Sequence, residues 1–343
     1  MSVDISLVIP TCNRAHLIAQ TVDAALNQKR NFFEIIVVDD GSTDHTADIL
    51  ASYADRIKLI RTDNRGVQAA RNTGVQAASA EYVTFCDSDD LLDPDYVETV
   101  GDWLASGPAV ELVYTNLVKF TDSVIDADDF SGAPGHFMLG AKARGAFFYD
   151  IPELYRRLFT VHPFCITGCT VKKSFFESIG GFDTSFNRIG AEDSEFTLRA
   201  VASGRAAYCR TPLAWIRRHA GNQSANPVHV DLGRAHILEH AAAHHPNVGA
   251  YVQDLRDHAR RLRLHLADSA YAKGDFETVR KIHTHDVGRR TGLKPRLKKI
   301  ISYLPGPVRT QVWKLTQMGG IRVQLPQFND PLSDLEQRDN LPV

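Results

Sequence analysis

Short apolar runs alternate with segments of helical period through the first third of the chain, and this alternation constrains the fold more than any other feature. Residues 3–10, 34–38, 57–61, 82–86 and 112–115 read as strands. Between them, Leu17, Ile18, Thr21, Val22, Ala25 and Leu26 recur on one helical face, and 44–53, 66–78 and 94–106 also read as helices. Strands separated by helices imply a parallel α/β sheet. In such sheets ligands gather at the carboxyl ends of the strands. Polar residues stand at those ends here: Thr11, Asn13 and Arg14 after the first strand, Asp39 and Asp40 after the second, and Asp87, Ser88, Asp89 and Asp90 after the fourth.

The last group carries the most chemistry. Acids crowded at the edge of a core repel one another and raise one another's pKa, so the arrangement makes sense with a cation between them. Hard divalent ions take oxygen ligands, and Mg²⁺ is commonly held by one or two carboxylates together with substrate phosphates. The cluster therefore predicts Mg²⁺ or Mn²⁺ and a nucleotide diphosphate. A turn followed by a helix cap before Pro94 is the plain alternative. Asp39-Asp40-Gly41-Ser42 likewise reads as a turn and cap, and Glu192-Asp193 as acids favoured by a helix dipole.

Size and composition narrow the class. With 343 residues, 43% of them hydrophobic, the chain can bury a large core and still carry an appendage. A formal charge of −2 gives no reason to expect nucleic acid as a partner. Five cysteines without zinc or disulfide spacing suit a reducing compartment. No secretory signal and no run of about 20 apolar residues is apparent, which predicts a cytoplasmic location.

Residues 116–150 are rich in Asp, Gly and Ala with weak periodicity, and read as an insertion or loop near the crevice. A helix near 153–159, an apolar run at 165–171, a helix at 174–179 and a helix from Glu192 to Ser203 follow.

In their order, Val8-Ile9-Pro10-Thr11-Cys12-Asn13-Arg14, Val37-Val38-Asp39-Asp40-Gly41-Ser42, Ala70-Arg71-Asn72-Thr73-Gly74, Asp87-Ser88-Asp89-Asp90 and Glu192-Asp193 resemble family 2 glycosyltransferases of GT-A fold. Ile179-Gly180-Gly181-Phe182-Asp183 and Arg218-His219-Ala220-Gly221-Asn222-Gln223-Ser224 are further landmarks, so the resemblance covers about the first two thirds of the chain. It implies an inverting, usually UDP-sugar-dependent transferase that needs Mn²⁺ or Mg²⁺, works at the cytoplasmic side and builds a bacterial-type polysaccharide or glycolipid. The implied fold is a mostly parallel GT-A sheet with flanking helices and a C-terminal helical extension.

The resemblance also implies roles. Asp40 would accept from the base ring N–H, with Thr11, Arg71 and Asp39 nearby; Pro10, Arg14 and Ser88 would join the nucleotide-sugar site, Asp87 would approach the ribose, and Asp89 would bind the metal. His219 would contact metal or phosphate, and Asp90 and Gly168 would meet donor or acceptor sugar. Inverting transfer needs a base on the acceptor side, and Asp193 at a helix start can supply it. Glu192 competes, but neighbouring helical residues point about 100° apart, which predicts that only one faces the crevice. The metal would stabilise the leaving diphosphate, so no proton donor is required there.

Two rivals remain. A sugar nucleotidyltransferase should carry a glycine-rich loop after the first strand, where this chain has Pro10-Thr11-Cys12-Asn13-Arg14. A silent nucleotide-sugar-binding or scaffold protein would have less reason to keep Asp89, Asp193 and His219 together. His236, His240 and His244 recur every fourth residue, as a metal site or as a partly exposed helix face.

The organisation expected is a transferase domain over 1–225, a helical extension over 226–290 and a basic amphipathic tail over 291–343. Residues 251–271 and the turn at 272–277 resemble one tetratricopeptide-like hairpin, which must pack on the transferase domain or on a second subunit as a homodimer. Between Val287 and Asn329 there is no acid and there are nine basic residues, with Leu297, Ile300, Ile301 and Leu304 as an apolar stripe. Residues 291–320 therefore suit an anionic membrane surface at the inner face of the cytoplasmic membrane, or a helix docked on its own protein.

Overall fold

The computed structural model describes residues 3–121, 124–128, 135–219, 226–284 and 293–318. The strands are β1 (Ile5–Thr11), β2 (Glu34–Asp40), β3 (Lys58–Thr62), β4 (Tyr82–Phe85), β5 (Leu91–Leu92), β6 (Leu112–Phe120), β7 (Ile125–Asp128), β8 (Lys142–Arg144), β9 (Phe147–Tyr149), β10 (Cys169–Lys172) and β11 (Ala206–Arg217). The helices are α1 (Ile18–Leu26), α2 (Thr46–Ala51), α3 (Val67–Ala77), α4 (Tyr96–Ser106), α5 (Leu154–Thr160), α6 (Lys173–Ser178), α7 (Glu192–Ser203), α8 (Pro227–His244), α9 (Val252–Ala272), α10 (Phe276–Thr284), α11 (Leu293–Ser302) and α12 (Gly306–Met318).

One sheet runs β3-β2-β1-β4-β10-β6-β11-β9-β8, with β5 on β11 and β7 on β6. Pairing is parallel from β3 through β4 and between β6 and β11, and antiparallel where β10 enters between β4 and β6. The sheet is therefore mixed, with its parallel part at the β1–β4 end. Alternation along β1 and β2 sorts side chains onto two faces: Val8, Ile36 and Val38 join the core under α3 and α7, whereas Leu7, Ile9, Ile35 and Val37 join the core with α1 and α4. Both faces are covered, which explains why these strands read as unbroken apolar runs.

Helices α8 and α9 extend the first of those cores. Ala235, Leu238 and Ala241 from α8 and Leu255, Ala259 and Leu262 from α9 belong to the apolar cluster that holds Phe85, Tyr114 and Phe196. The hairpin of α9 and α10 continues outward, closed by Gly274 at φ +73°. Smaller clusters seat α10, α11 and α12 on α9.

The structure departs from the sequence reading in three places. Residues 116–120 continue strand β6, and Phe147–Tyr149 pairs with β11 while Phe147 stacks on Trp103 at 4.6 Å, so much of the supposed loop is sheet; residues 122–123 and 129–134 lie outside the described residues. Leu91 and Leu92 form a short strand against Trp215 and Ala214 rather than leading directly into α4. β11, which the sequence reading did not foresee, is an interior strand between β6 and β9.

Candidate active site

A crevice of about 510 Å³ opens where β1, β2 and β4 end, with α3 and the start of α7 as its walls. Its floor is tied together by the loops themselves. Asn13 takes a left-handed turn at φ 53°, its amide N–H donates to Ser42 Oγ at 2.9 Å, and its side-chain oxygen accepts from the Thr43 amide at 2.8 Å. Asp39 is fully buried, accepts from the Ser42 amide at 2.9 Å and faces Arg61 Nε at 3.0 Å. Its carboxylate therefore locks a turn beneath the crevice rather than lining it.

Asp40 does line the crevice. It accepts from Thr62 Oγ1 at 3.1 Å and from the amides of Arg65 at 2.9 Å and Gly66 at 2.7 Å. These bonds hold the backbone that opens α3, where Gly66 sits at φ +93°. A carboxylate offers about four acceptor positions, so one remains for a ligand donor. Beside it, Pro10 and Thr11 form the wall, and the buried Thr11 Oγ1 has no hydrogen-bond partner among the described residues.

The acid cluster divides its charge among three positions. Asp87 accepts from Arg71 Nη2 at 2.7 Å. Asp89 faces His219 Nε2 at 3.0 Å and Arg14 Nε at 3.5 Å, both through Oδ2. Asp90 is buried, accepting from Thr167 Oγ1 at 2.7 Å and the Arg217 amide at 3.0 Å. Burial, and then the charges of Asp87 and Asp89, push the Asp90 carboxyl well above the usual carboxylate range. Thr21 Oγ1 fixes the backbone of this turn through the carbonyls of Ser88 and Asp90.

Arg71 links this cluster to α7. Its guanidinium is wholly enclosed, lies over the Phe182 ring at 5.3 Å, and donates to Gln68 at 3.0 Å, to Asp87, and to Asp193 at 2.5 Å. Gly190 and Ala191, both at positive φ, turn the chain so that α7 presents its acidic first turn to the crevice. Enclosure pushes the Asp193 carboxyl up to about 6; Arg71 opposes that rise, and Asp87 and Glu192 add to it.

Of the residues singled out in the sequence, Pro10, Thr11, Arg14, Asp40, Arg71, Asp87, Ser88, Asp89, Asp90, Glu192 and Asp193 all border this crevice. Both Glu192 and Asp193 reach it, contrary to the expectation that only one would, because the crevice wraps around the helix start; only Asp193 bonds Arg71. Gly168 does not border it. At φ +84° it packs against Thr115 and Ala214, and a side chain there would strike Thr115 Oγ1, so its role is close packing. His219 stands at the edge through Asp89, and residues 220–224 lie outside the described residues. Gln68, Thr167 and the Arg217 amide were missed by the sequence reading, since no local pattern marks a residue that acts across the sheet.

The histidines at fourfold spacing share one partly exposed face of α8, with His236 and His240 against Phe186 at 5.8 and 4.9 Å. His240 stacks on His244 at 4.4 Å, and among the described residues the group with metal-ligand spacing is Glu195, His240 and His245. It lies apart from the crevice lining, and Glu195 is already paired with Arg199 through bonds of 2.7 and 2.9 Å.

Residues 6–180, more than half of the chain, match the model of glycosyl transferase family 2. The chain is 33% identical over 221 residues to validoxylamine A glucosyltransferase of Streptomyces hygroscopicus subsp. jinggangensis, covering 58% of this chain and 52% of that relative. It spans less than two thirds of the length of the curated relatives it matches first. Its fold is similar to that of S. aureus TarS residues 1–349 in complex with UDP-GlcNAc (TM-score 0.51, 16% identity, 92% of each chain covered). It is similar also to that of the mannosyltransferase PcManGT from Pyrobaculum calidifontis in complex with GDP-Man and Mn²⁺ (TM-score 0.53, 20% identity, 92% of this chain and 86% of that one). These two likenesses establish the GT-A architecture.

Proposed function

The chain belongs to glycosyl transferase family 2, and on that premise we propose that it moves a sugar from a nucleotide diphosphate sugar to an acceptor hydroxyl, with inversion. The observation that carries the reading is the Arg71 bridge, which joins a carboxylate at the end of β4 to a carboxylate raised to about 6 at the start of α7 across one crevice. Asp193, when ionised, takes the proton of the acceptor hydroxyl as its oxygen attacks the anomeric carbon, and the nucleoside diphosphate departs on the opposite side. Arg71 keeps Asp193 aimed and favours its charged form.

The donor base belongs between Thr11 and Asp40, where a buried hydroxyl lacks a partner and one carboxylate acceptor position is open. A UDP-linked donor is the reading adopted; TarS is titled with UDP-GlcNAc and PcManGT with GDP-Man, so both bases belong in the test. A divalent cation fits the acid cluster, since Asp87, Asp89 and Asp90 crowd one turn at the crevice, where burial first and then the charges of Asp87 and Asp89 push the Asp90 carboxyl up. Asp89, with His219 beside it, would hold Mn²⁺ or Mg²⁺, which would supply charge stabilisation to the leaving diphosphate. The acceptor is read as a growing glycan or lipid-linked glycan presented at the cytoplasmic side. No helix among the described residues is long and apolar enough to cross a membrane.

The test is to incubate the purified chain with UDP- and GDP-sugars, with Mn²⁺ and with chelator, and to follow release of nucleoside diphosphate. Slow metal-dependent hydrolysis of one donor supports the reading. Pyrophosphate consumption with nucleoside triphosphate formation would favour a sugar nucleotidyltransferase instead, although the loop Pro10–Arg14 contains no glycine for a triphosphate. Donor binding without turnover under any acceptor would favour a silent binding protein.

A further inference from the structure

We propose that the outward faces of α11 and α12 dock on an anionic phospholipid surface. The inward faces are already used. Ile301 is buried with Ala270, Tyr271 and Val279, Trp313 Nε1 donates to the Tyr271 carbonyl at 2.8 Å, and Lys298 pairs with Asp268 at 2.7 Å. An amphipathic helix docked only on its own protein should turn a polar face to water. These helices instead leave large apolar side chains exposed among their polar ones.

Six of the ten large hydrophobic side chains exposed among the described residues fall between 293 and 318: Leu293, Leu297, Ile300, Tyr303, Val308 and Leu315, with Leu293 84% and Leu315 68% exposed. Leu293, Leu297 and Ile300 follow i, i+4, i+7 spacing and so share one helix face. Val308 and Leu315 share a face of α12 by the same count. The same 26 positions hold no acid and six basic residues, of which Lys298, Lys299 and Arg309 turn inward to Asp268 and the carbonyls of His283 and Ser302, while Lys294, Arg296 and Lys314 are exposed beside the apolar side chains.

That pairing of chemistry selects the occupant. Apolar side chains among lysines and arginines lie at the headgroup boundary of a bilayer, where carbon enters the acyl region and the cations meet anionic lipid. Tyr303 has the amphipathic ring that suits this depth. A second copy of the chain would pair the patch with itself and set like charges face to face. The remaining C-terminal segment, 319–343, contains Asp330, Asp334, Glu336 and Asp339, so it is the other occupant to be tested.

The experiment is vesicle flotation of the full chain with phosphatidylcholine alone and with added phosphatidylglycerol, at low and high salt. The Leu297→Glu/Ile300→Glu variant is the comparison, since both positions are exposed and the fold should persist by circular dichroism. The wild type is expected to float only with anionic vesicles and to release at high salt, and the variant to bind roughly tenfold more weakly or less. Nucleotide-sugar hydrolysis should be equal in the two proteins, so this proposal and the catalytic one fail separately. Equal flotation of variant and wild type, or no flotation of the wild type, overturns it. Wild-type dimers in sedimentation velocity that the variant lacks would assign the face to a second copy, and flotation only by a chain ending at Met318 would assign it to the segment beyond.

Discussion

Replacing Arg71 by methionine tests the central bridge, because the side chain keeps its bulk and loses both its charge and its donors. In the wild type the guanidinium bonds Asp87 at 2.7 Å and Asp193 at 2.5 Å from a fully enclosed position. Removing one partner of a fully buried ion pair generally costs about 3–5 kcal/mol, an upper bound here because the Asp87 and Asp193 side chains left behind are 31% and 33% exposed. That is a large part of a typical stability of about 5–15 kcal/mol, so the variant should fold with a clearly lower Tm. The loss should be greatest above pH 6, where Asp193 is ionised, and should shrink as the carboxyls protonate. Catalysis adds an independent reading. Arg71 lowers the Asp193 carboxyl from where enclosure alone would place it, and a neighbouring guanidinium is generally worth about 1–3 pKa units. The acid limb of kcat against pH, near 6 in the wild type, should therefore move upward by roughly that amount in Arg71→Met. Arg71→Lys should restore part of the shift, because the charge returns without the fork that reaches both acids. A folded Arg71→Met protein whose acid limb stays where it was would refute the reasoning: either Asp193 is not the base or Arg71 does not set its state.

Asp193→Asn should leave donor affinity near wild type, measured by titration calorimetry, and lower turnover by roughly two to four orders of magnitude. The same pattern in Glu192→Gln, with activity retained in Asp193→Asn, would move the base to Glu192. Asp40→Ala should weaken nucleoside diphosphate binding by about 1–3 kcal/mol and lower Tm as well, since the carboxylate also secures the Arg65 and Gly66 amides. Gly168→Ala should lower Tm without changing KM for donor, because a side chain at φ +84° meets Thr115 and Ala214 outside the crevice.

The sequence was most legible where local and tertiary preferences agree. Strands β1 to β4 are buried on both faces and so appear as apolar runs, and α7 shows its boundaries through Glu192-Asp193 at one end and Gly204 at the other. β11 was hidden for the opposite reason. Arg210, Thr211 and Pro212 interrupt its apolar pattern, and the register against β6 shifts on both sides of Pro212. Proline inside a run argues against a strand unless a bulge absorbs it. Arg71 illustrates the same limit at the site: its spacing shows a helical residue, whereas its worth comes from Asp87, sixteen positions on, and Asp193, more than a hundred further. Only the fold brings those charges to one guanidinium.

The way the acid cluster shares its charge yields one more prediction. Asp87 is paired with Arg71, and Asp90 is enclosed beneath Thr167 and the Arg217 amide, where burial first and then Asp87 and Asp89 push its carboxyl up. Asp89 also borders the crevice, its Oδ2 in contact with His219 Nε2 at 3.0 Å and Arg14 Nε at 3.5 Å, and it is the carboxylate assigned to the cation. If this assignment holds, Asp90 acts by shape and hydrogen bonding. Asparagine can reproduce both: its oxygen accepts from the Arg217 amide, and its amide donates to Thr167 Oγ1. Asp90→Asn should therefore retain Mn²⁺-dependent affinity for nucleoside diphosphate in calorimetry, whereas Asp89→Asn should lose the metal-dependent part and keep the rest. Asp90→Ala, which leaves Thr167 and the Arg217 amide without their acceptor, should lower Tm by an amount set by about 1–3 kcal/mol for each stranded group. Loss of metal dependence in Asp90→Asn equal to that in Asp89→Asn would mean that Asp90 carries charge into the crevice after all.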